Sequence, residues 1–316
     1  MDMGKVIDGI IGLCVGDALG VPVEFQSRAV LEQKPLTDMI GYGSHRQPAG
    51  TWSDDTSLTL CLMDSIADCG GLDLRDLADK FRKWCWNADW TPHGDVFDIG
   101  IATREAIMRL DDRSLPPEQA GGAGEFSNGN GSLMRILPLA FYLKGRSFED
   151  RVLAVTQVSS LTHRHLISVI ACVIYVETAI SLLNGNVMED SLNSAKQSVV
   201  RHFSGSPQLA AFDRILKEDL KQLERAEIQS TGYVVHTLEA SLWCLLHAGS
   251  YEEAVLQSIN LGEDTDTTGA VTGGLAGLIY GLSGIRSNWT GQLARYDEIV
   301  GLCHRFEETI GKITDK

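Results

Sequence analysis

Residues 264–281 read DTDTTGAVTGGLAGLIYG, an acidic, hydroxyl-rich opening followed by glycines at 269, 273, 277 and 281. A spacing of four places these glycines on one ridge of a helix, where bare backbone lets a second helix come unusually close. Each interior helical glycine costs on the order of 1 kcal/mol relative to alanine, so close packing is the simplest reason for such a ridge. The stretch GKVIDGIIGLCVGDALG (4–20) repeats the pattern at Gly12, Gly16 and Gly20. Two glycine-ridged helices are therefore expected, and each adjoins acidic residues.

Helical periodicity also dominates between them. Leu58, Cys61, Leu62, Ile66 and Cys69 follow the i, i+3, i+4 rule, and 234–248 and 251–261 read similarly. No series of short alternating strands separated by turn signals is visible. The expected class is all-α, with about a dozen helices. No Pro-, Gly- or Ser-rich linker divides the chain and no repeat period appears, so residues 1–316 are expected to form one domain. The longest irregular stretch runs from about Asp112 to Ser132 and carries Pro116, Pro117 and five glycines. Long loops of this kind in compact domains usually serve function.

Composition narrows the partners. The chain is 44% apolar and 22% charged, enough for a sizeable core. Acidic residues outnumber basic ones 42 to 27, a net charge of −15, which repels phosphate backbones and anionic membranes. Nucleic acid and membrane are thus not expected as ligands. Seven scattered cysteines without a CxxC pair indicate a reducing cytoplasm and offer no zinc site. The N-terminus lacks a basic leader and reads as a first helix. The apolar run 166–183 contains Glu177 and reads as a buried core helix.

Three acidic groups stand out: Ser53-Asp54-Asp55-Thr56 before a helix starting near Ser57, Asp264-Thr265-Asp266-Thr267-Thr268 before the ridged helix, and Glu24 after Gly16-Asp17-Ala18-Leu19-Gly20. Asp, Ser and Thr are common helix caps, and either cluster alone reads that way. Together they exceed what capping needs. If they meet, four close carboxylates cannot all stay ionised without a cation. Hard oxygen donors with no His or Cys suit Mg²⁺, Mn²⁺ or Ca²⁺, and an aspartate bridging two ions would orient substrate oxygens and a water.

Two lookalikes fail. An EF-hand loop opening at Asp264 would need a bidentate Glu at its twelfth position, which is Leu275. A DxDxT phosphotransferase motif should end a buried strand early in an α/β fold, and here it follows a helical pattern near the end of the chain. Between the acidic groups, Ser127-Asn128-Gly129-Asn130-Gly131-Ser132-Leu133-Met134-Arg135 forms a glycine-rich loop expected to lead into a helix and able to hold a phosphate. His163 is expected at another helix start. By themselves His163 and Tyr233 read as packing or surface residues.

In order along the chain, Gly16-Asp17-Ala18-Leu19-Gly20 with Glu24, Trp52-Ser53-Asp54-Asp55-Thr56, Gly129 to Arg135, Thr162-His163 and Asp264 to Ala270 resemble the ADP-ribosylglycohydrolase family. The likeness is greatest to its bacterial dinitrogenase-reductase-activating and ADP-ribosylarginine hydrolase branch. It spans about residues 10 to 282. The resemblance implies an orthogonal helical bundle and a binuclear Mg²⁺ or Mn²⁺ centre. Ser53, Asp54, Asp55, Asp264, Asp266 and Thr267 would be the ligands, with Asp266 bridging. Glu24 would lie at the metal edge. Asn130, Gly131 and Ser132 would hold the ribose-phosphate part of ADP-ribose, and His163 and Tyr233 the rest. Ser53 replaces a frequent threonine and keeps the hydroxyl. Asn128 stands where some relatives have an aromatic residue, which would alter stacking on the adenosine side.

The reaction so implied is hydrolysis at ribose C1 of an ADP-ribosylated protein side chain, arginine above all, releasing ADP-ribose. Asp54, Asp55 or Glu24 could take the proton from water, and the sequence leaves the choice open. A cytoplasmic monomer is expected, meeting a modified target or an ADP-ribosylating toxin transiently, as a reversal or immunity enzyme. The alternative is a catalytically inactive ADP-ribose-binding or crystallin-like structural member. Loss of a metal carboxylate would mark that alternative, and none is missing.

Overall fold

A computed structural model describes residues 4–314, so Met1–Met3 of the expected first helix and both ends of the expected 1–316 domain lie outside the described residues. Fifteen α-helices are described: α1 (Lys5–Gly20), α2 (Arg28–Gln33), α3 (Asp54–Cys69), α4 (Leu74–Asn87), α5 (Ile101–Arg109), α6 (Pro138–Tyr142), α7 (Phe148–Ser160) and α8 (Leu166–Leu183). They continue with α9 (Met188–Phe203), α10 (Asp213–Lys217), α11 (Val234–His247), α12 (Tyr251–Ile259), α13 (Thr265–Tyr280), α14 (Ser287–Gln292) and α15 (Tyr296–Thr314). Short 3₁₀ turns join several of them, and the described residues hold only isolated β-bridges. The all-α expectation stands, with somewhat more helices than a dozen because α2, α6, α10 and α14 are too short to show a period.

The two glycine ridges face each other. A Cβ added at Gly12 or Gly16 would overlap the carbonyl of Gly273 or Gly269, and one at Gly20 would overlap the backbone of Asp266. Thus α1 and α13 pack backbone to backbone, with Tyr251 Oη donating to Gly12 O at 2.6 Å and Tyr175 Oη to Val271 O at 3.0 Å. Gly281 is not part of the ridge. It caps α13 with φ +72°, a left-handed value that ends the helix there. The close approach fixes where the acidic ends go: the C-terminal end of α1 lies against the N-terminal end of α13.

The remaining helices wrap this pair. Helix α8 matches the expected run 166–183 and is buried along nearly its whole length, its Glu177 accepting from Nε and Nη2 of Arg151, each at 2.6 Å. The apolar segments 5–23 and 166–183 are each long and apolar enough to cross a membrane, and both are mostly buried inside the fold. Helix α3 is clamped to α4 and α15 through Asp64, which accepts from Lys80 at 2.7 Å and Arg305 at 2.5 Å. All seven cysteines are free. Cys69 is exposed, unlike the apolar setting its spacing suggests, because it ends α3 beside the left-handed Gly70.

Candidate active site

Helix α3 starts three residues earlier than its periodicity suggests. Ser53 is its N-cap and Asp54 and Asp55 form its first turn, because the Ser53 side chain accepts the Asp55 amide at 3.3 Å. Likewise α13 begins at Thr265, so Asp264 is the N-cap and Asp266 and Thr267 lie in the first turn. Side chains in a first turn spread around the helix end, which lets each cluster aim several oxygens into one space. The α1–α13 contact then brings the two helix ends and Glu24 together. One carboxylate oxygen each from Glu24, Asp264 and Asp266 lie within 4.8 Å of one another.

The two clusters also touch directly. Thr267 Oγ1 stands 3.5 Å from Asp55 Oδ2, which accepts Ser53 Oγ at 3.1 Å. The other oxygen of that carboxylate, Asp55 Oδ1, is buried without a hydrogen-bond partner. A buried, unpaired carboxylate oxygen is costly, and a cation is the natural partner for it. The acidic clusters offer hard oxygen donors, the kind of donor that suits a hard divalent cation.

The electrostatics agree. Burial, reinforced by neighbouring carboxylates, pushes Asp54, Asp55 and Asp266 well above the usual carboxylate range. Burial also raises Asp264 and Asp98, and lifts Glu24 to about 7 against the opposing hydrogen bond from His45. A nearby positive charge would favour the ionised form of these crowded acids.

Three site residues escaped the sequence reading. Asp17 is fully buried and accepts from the Ser53 amide at 2.9 Å, the Thr56 amide at 3.0 Å and the Thr56 hydroxyl at 2.6 Å, tying α1 to the start of α3. His45 pairs through Nε2 with Glu24 and stacks obliquely on Phe25 and Phe97, with ring centroids 5.8 and 5.3 Å apart. Asp98 groups with Glu24 and His45, all three presenting ligand atoms within 4.8 Å of one another. Asp17 was visible inside a quoted motif. His45 and Asp98 sit in irregular segments with no local pattern to mark them.

A cavity of about 430 Å³ opens beside the acidic cluster, lined by Glu24, Phe25, Asp54, Asp264 and Thr267 and by Asn130, Gly131 and His163. Asn130 Nδ2 donates to Asp264 Oδ2 and to Thr237 Oγ1, both at 2.8 Å. Its loop pairs with the segment before α11: the Asn130 amide donates to Gly232 O and the Val234 amide to Asn128 O, each at 3.1 Å. That pairing sets Tyr233, the N-cap of α11, beside Gly129, outside the cavity lining. The loop does not lead directly into a helix. Turns follow it and α6 begins only at Pro138, so no helix N-terminus faces a phosphate there.

The buried Arg135 anchors the loop through the Gly131 carbonyl and donates to Thr162 Oγ1 at 2.7 Å. His163 precedes α8 instead of starting it, and its Nδ1 lies 2.8 Å from Thr162 Oγ1. Burial and the Arg135 charge lower its pKa to about 3, so the ring is neutral. Ser132 is fully buried, its Oγ accepting from Ser159 at 2.9 Å, and does not line the cavity.

Comparison with known proteins gives this geometry a family. Residues 2–315 match the family described as ADP-ribosylglycohydrolase. The chain belongs to the ADP-ribosylglycohydrolase family, and it is a glycosylhydrolase of that kind. It is 34% identical over 288 residues to the ADP-ribosylarginine hydrolase Tri1 of Pseudomonas putida, covering 90% of this chain and 73% of that protein. It is 30% identical over 295 residues to the ADP-ribosyl-[dinitrogen reductase] glycohydrolase of Rhodospirillum rubrum, covering 92% and 90%. A solved structure titled ADP-ribosylglycohydrolase-related protein complex superposes with a TM-score of 0.78 at 28% identity, covering 98% of both chains.

Proposed function

We propose that this glycohydrolase removes ADP-ribose from modified arginine side chains, hydrolysing the bond between ribose C1 and a guanidinium nitrogen with a metal-positioned water. The observation that carries the reading is the meeting of Glu24, Asp264 and Asp266 within 4.8 Å, next to the α3 start whose Asp55 keeps one buried oxygen unpaired. Its relatives from Pseudomonas putida and Serratia proteamaculans, both named ADP-ribosylarginine hydrolase, support arginine as the acceptor. Two divalent cations held by Ser53, Asp54, Asp55, Asp264, Asp266 and Thr267 would supply charge neutralisation and an oriented water when bound.

The chain's own groups divide the remaining work. Glu24, lifted towards neutrality, stands at the edge of the cluster and can take a proton from water. Asp54 and Asp55 are the other candidate acceptors. Breaking the C1–N bond leaves positive character on the ribose, which the surrounding carboxylates stabilise. Asn130 and Gly131 border the cavity where the ribose-phosphate part would lie. His163 is neutral, with Nδ1 2.8 Å from the Thr162 hydroxyl, and its ring borders the same cavity. Ser132 supports that loop from behind, and Tyr233 borders it.

We read residues 1–316 as one domain, supported by a single main core running from Val6 to Ile310. Free cysteines support a cytoplasmic setting, and a monomer meeting its modified target transiently suits a cavity open at the surface. Reversal of a regulatory modification and immunity to an ADP-ribosylating toxin use the same chemistry. The deciding experiment is a panel of arginine-, serine- and nucleotide-linked ADP-ribose conjugates tested with Mg²⁺ and with Mn²⁺. Release from the arginine conjugate well above the others supports the proposal, and turnover of a different linkage alone replaces arginine as the acceptor.

A further inference from the structure

Phe25, the neighbour of Glu24, combines three properties that ordinary surface packing does not explain. Its backbone is left-handed, with φ +65°, a conformation that glycine adopts freely and a bulky side chain does not. Its side chain is turned outward, leaving the residue 71% exposed on the wall of the catalytic cavity. Yet it is held firmly. Its amide donates to Glu263 O at 2.7 Å, and the Glu263 amide returns a bond to Gln26 O at 2.8 Å. Its ring leans on His45, whose loop is tied down by the Ser44 amide donating to Pro22 O at 2.9 Å. A strained, rigid and exposed aromatic at a site mouth points to a contact made with something outside the chain.

The chemistry of the substrate says which part would meet it. The acceptor side chain is bonded to the reacting C1 atom, whereas the adenosine lies a pyrophosphate away. A residue adjoining Glu24 is therefore placed beside the acceptor. Ile101, at the start of α5, lines the same cavity and is 79% exposed, so a second apolar residue borders the opening. We infer that Phe25 and Ile101 form a docking platform for the polypeptide around the modified side chain, which selects ADP-ribosylated protein over small ADP-ribosyl conjugates. The occupant follows from continuity: both residues line the cavity that also holds Glu24, where the scissile bond is proposed to lie. This inference rests on the hydrolase reading above.

The test compares an ADP-ribosylated arginine peptide with free ADP-ribosylarginine, using wild type, Phe25→Gly and Ile101→Ala. Phe25→Gly removes the ring and relieves the left-handed strain, so its thermal midpoint should be equal or higher. Its kcat/KM on the peptide should nevertheless fall by about 10-fold or more, mainly through KM, with a several-fold smaller loss on free ADP-ribosylarginine. Ile101→Ala should shift the same ratio in the same direction. Equal losses on both substrates, or a loss that follows weakened binding of ADP-ribose itself, would overturn the inference. A binding arm needs no turnover: wild type should bind the modified peptide more tightly than ADP-ribose, and Phe25→Gly should lose that margin. Absence of hydrolysis with the margin intact would refute the hydrolase reading alone, and absence of the margin in wild type would refute the platform.

Discussion

Asp17 of α1 holds Thr56 of α3 twice, accepting its amide at 3.0 Å and its hydroxyl at 2.6 Å through the same oxygen. The Ser53 amide reaches both Asp17 oxygens, at 2.9 and 3.0 Å. Asp17 thus serves the first turn of α3 as an external cap, and so aims Asp54 and Asp55. Asp17→Asn keeps the size but turns an amide donor towards backbone donors. It should cost about 1–3 kcal/mol in urea unfolding, the scale of losing buried charged hydrogen bonds, and lower turnover. Unchanged stability and turnover would show that α3 orients its acids without this contact.

Glu24→Gln separates catalysis from binding. The amide keeps shape and can still meet His45, but it cannot take a proton. Turnover should fall on the order of 10²-fold or more, the usual scale for a lost general base. ADP-ribose affinity by calorimetry should change far less, since Asn130, Gly131 and His163 border the cavity independently. Parallel losses of affinity and turnover would make Glu24 a binding or metal residue.

Much of this site was legible because its parts are local. The pairs Asp54-Asp55 and Asp264-Asp266 sit at helix starts whose hydroxyls and acids are readable as a pattern, and the glycine spacing foretold that two helices would meet closely. What the sequence could not show depends on contacts between distant segments. His45 reaches Glu24 across 21 positions, and Asp17 reaches Ser53 across 36. Periodicity places the start of α3 near 57 and the 264–268 cluster ahead of the ridged helix, because apolar periodicity marks where packing begins, whereas the first turn of each helix is polar and points into the site. His163 and the Asn130 loop show the opposite case, since the helices after them begin only at Leu166 and Pro138. Turns stabilised by Arg135 and by pairing with Gly232 replace the extra helical turns.

The glycine ridge carries a stability prediction. At Gly16 a methyl group would meet the Gly269 backbone, which belongs to a helix and cannot swing aside as a side chain would. Gly16→Ala should destabilise the fold by roughly 3 kcal/mol or more, at the upper end of overpacking costs, despite the better helix propensity of alanine. Gly311→Ala, where the added methyl has open space, should be neutral or stabilising. Denaturant midpoints of the two variants check this, and similar midpoints would mean that α1 and α13 are not in backbone contact.

Asp64 carries a pH prediction. Burial alone would raise its pKa, but hydrogen bonds from Lys80, Trp90 and Arg305 together hold it below the ordinary value. The folded pKa lies below the unfolded one, so the stabilisation is complete above about pH 4, near the unfolded pKa, and is lost as pH falls through the folded value. Asp64→Asn should therefore melt below wild type at pH 7, with the gap narrowing as pH drops under about 4. A gap that is constant from pH 7 to pH 3 would show that the charge of Asp64 is not what joins α3, α4 and α15.

The central claim, a proposal, is that the acids at the starts of α3 and α13 and Glu24 form a metal-dependent hydrolytic centre. It is tested most directly by ADP-ribose release from an ADP-ribosylated arginine peptide, using protein stripped with EDTA and then given Mg²⁺, Mn²⁺ or Zn²⁺ in turn. Hard oxygen donors predict no release from the stripped protein and recovery with Mn²⁺ or Mg²⁺. Full activity without any divalent ion, or recovery with Zn²⁺ alone, would contradict it.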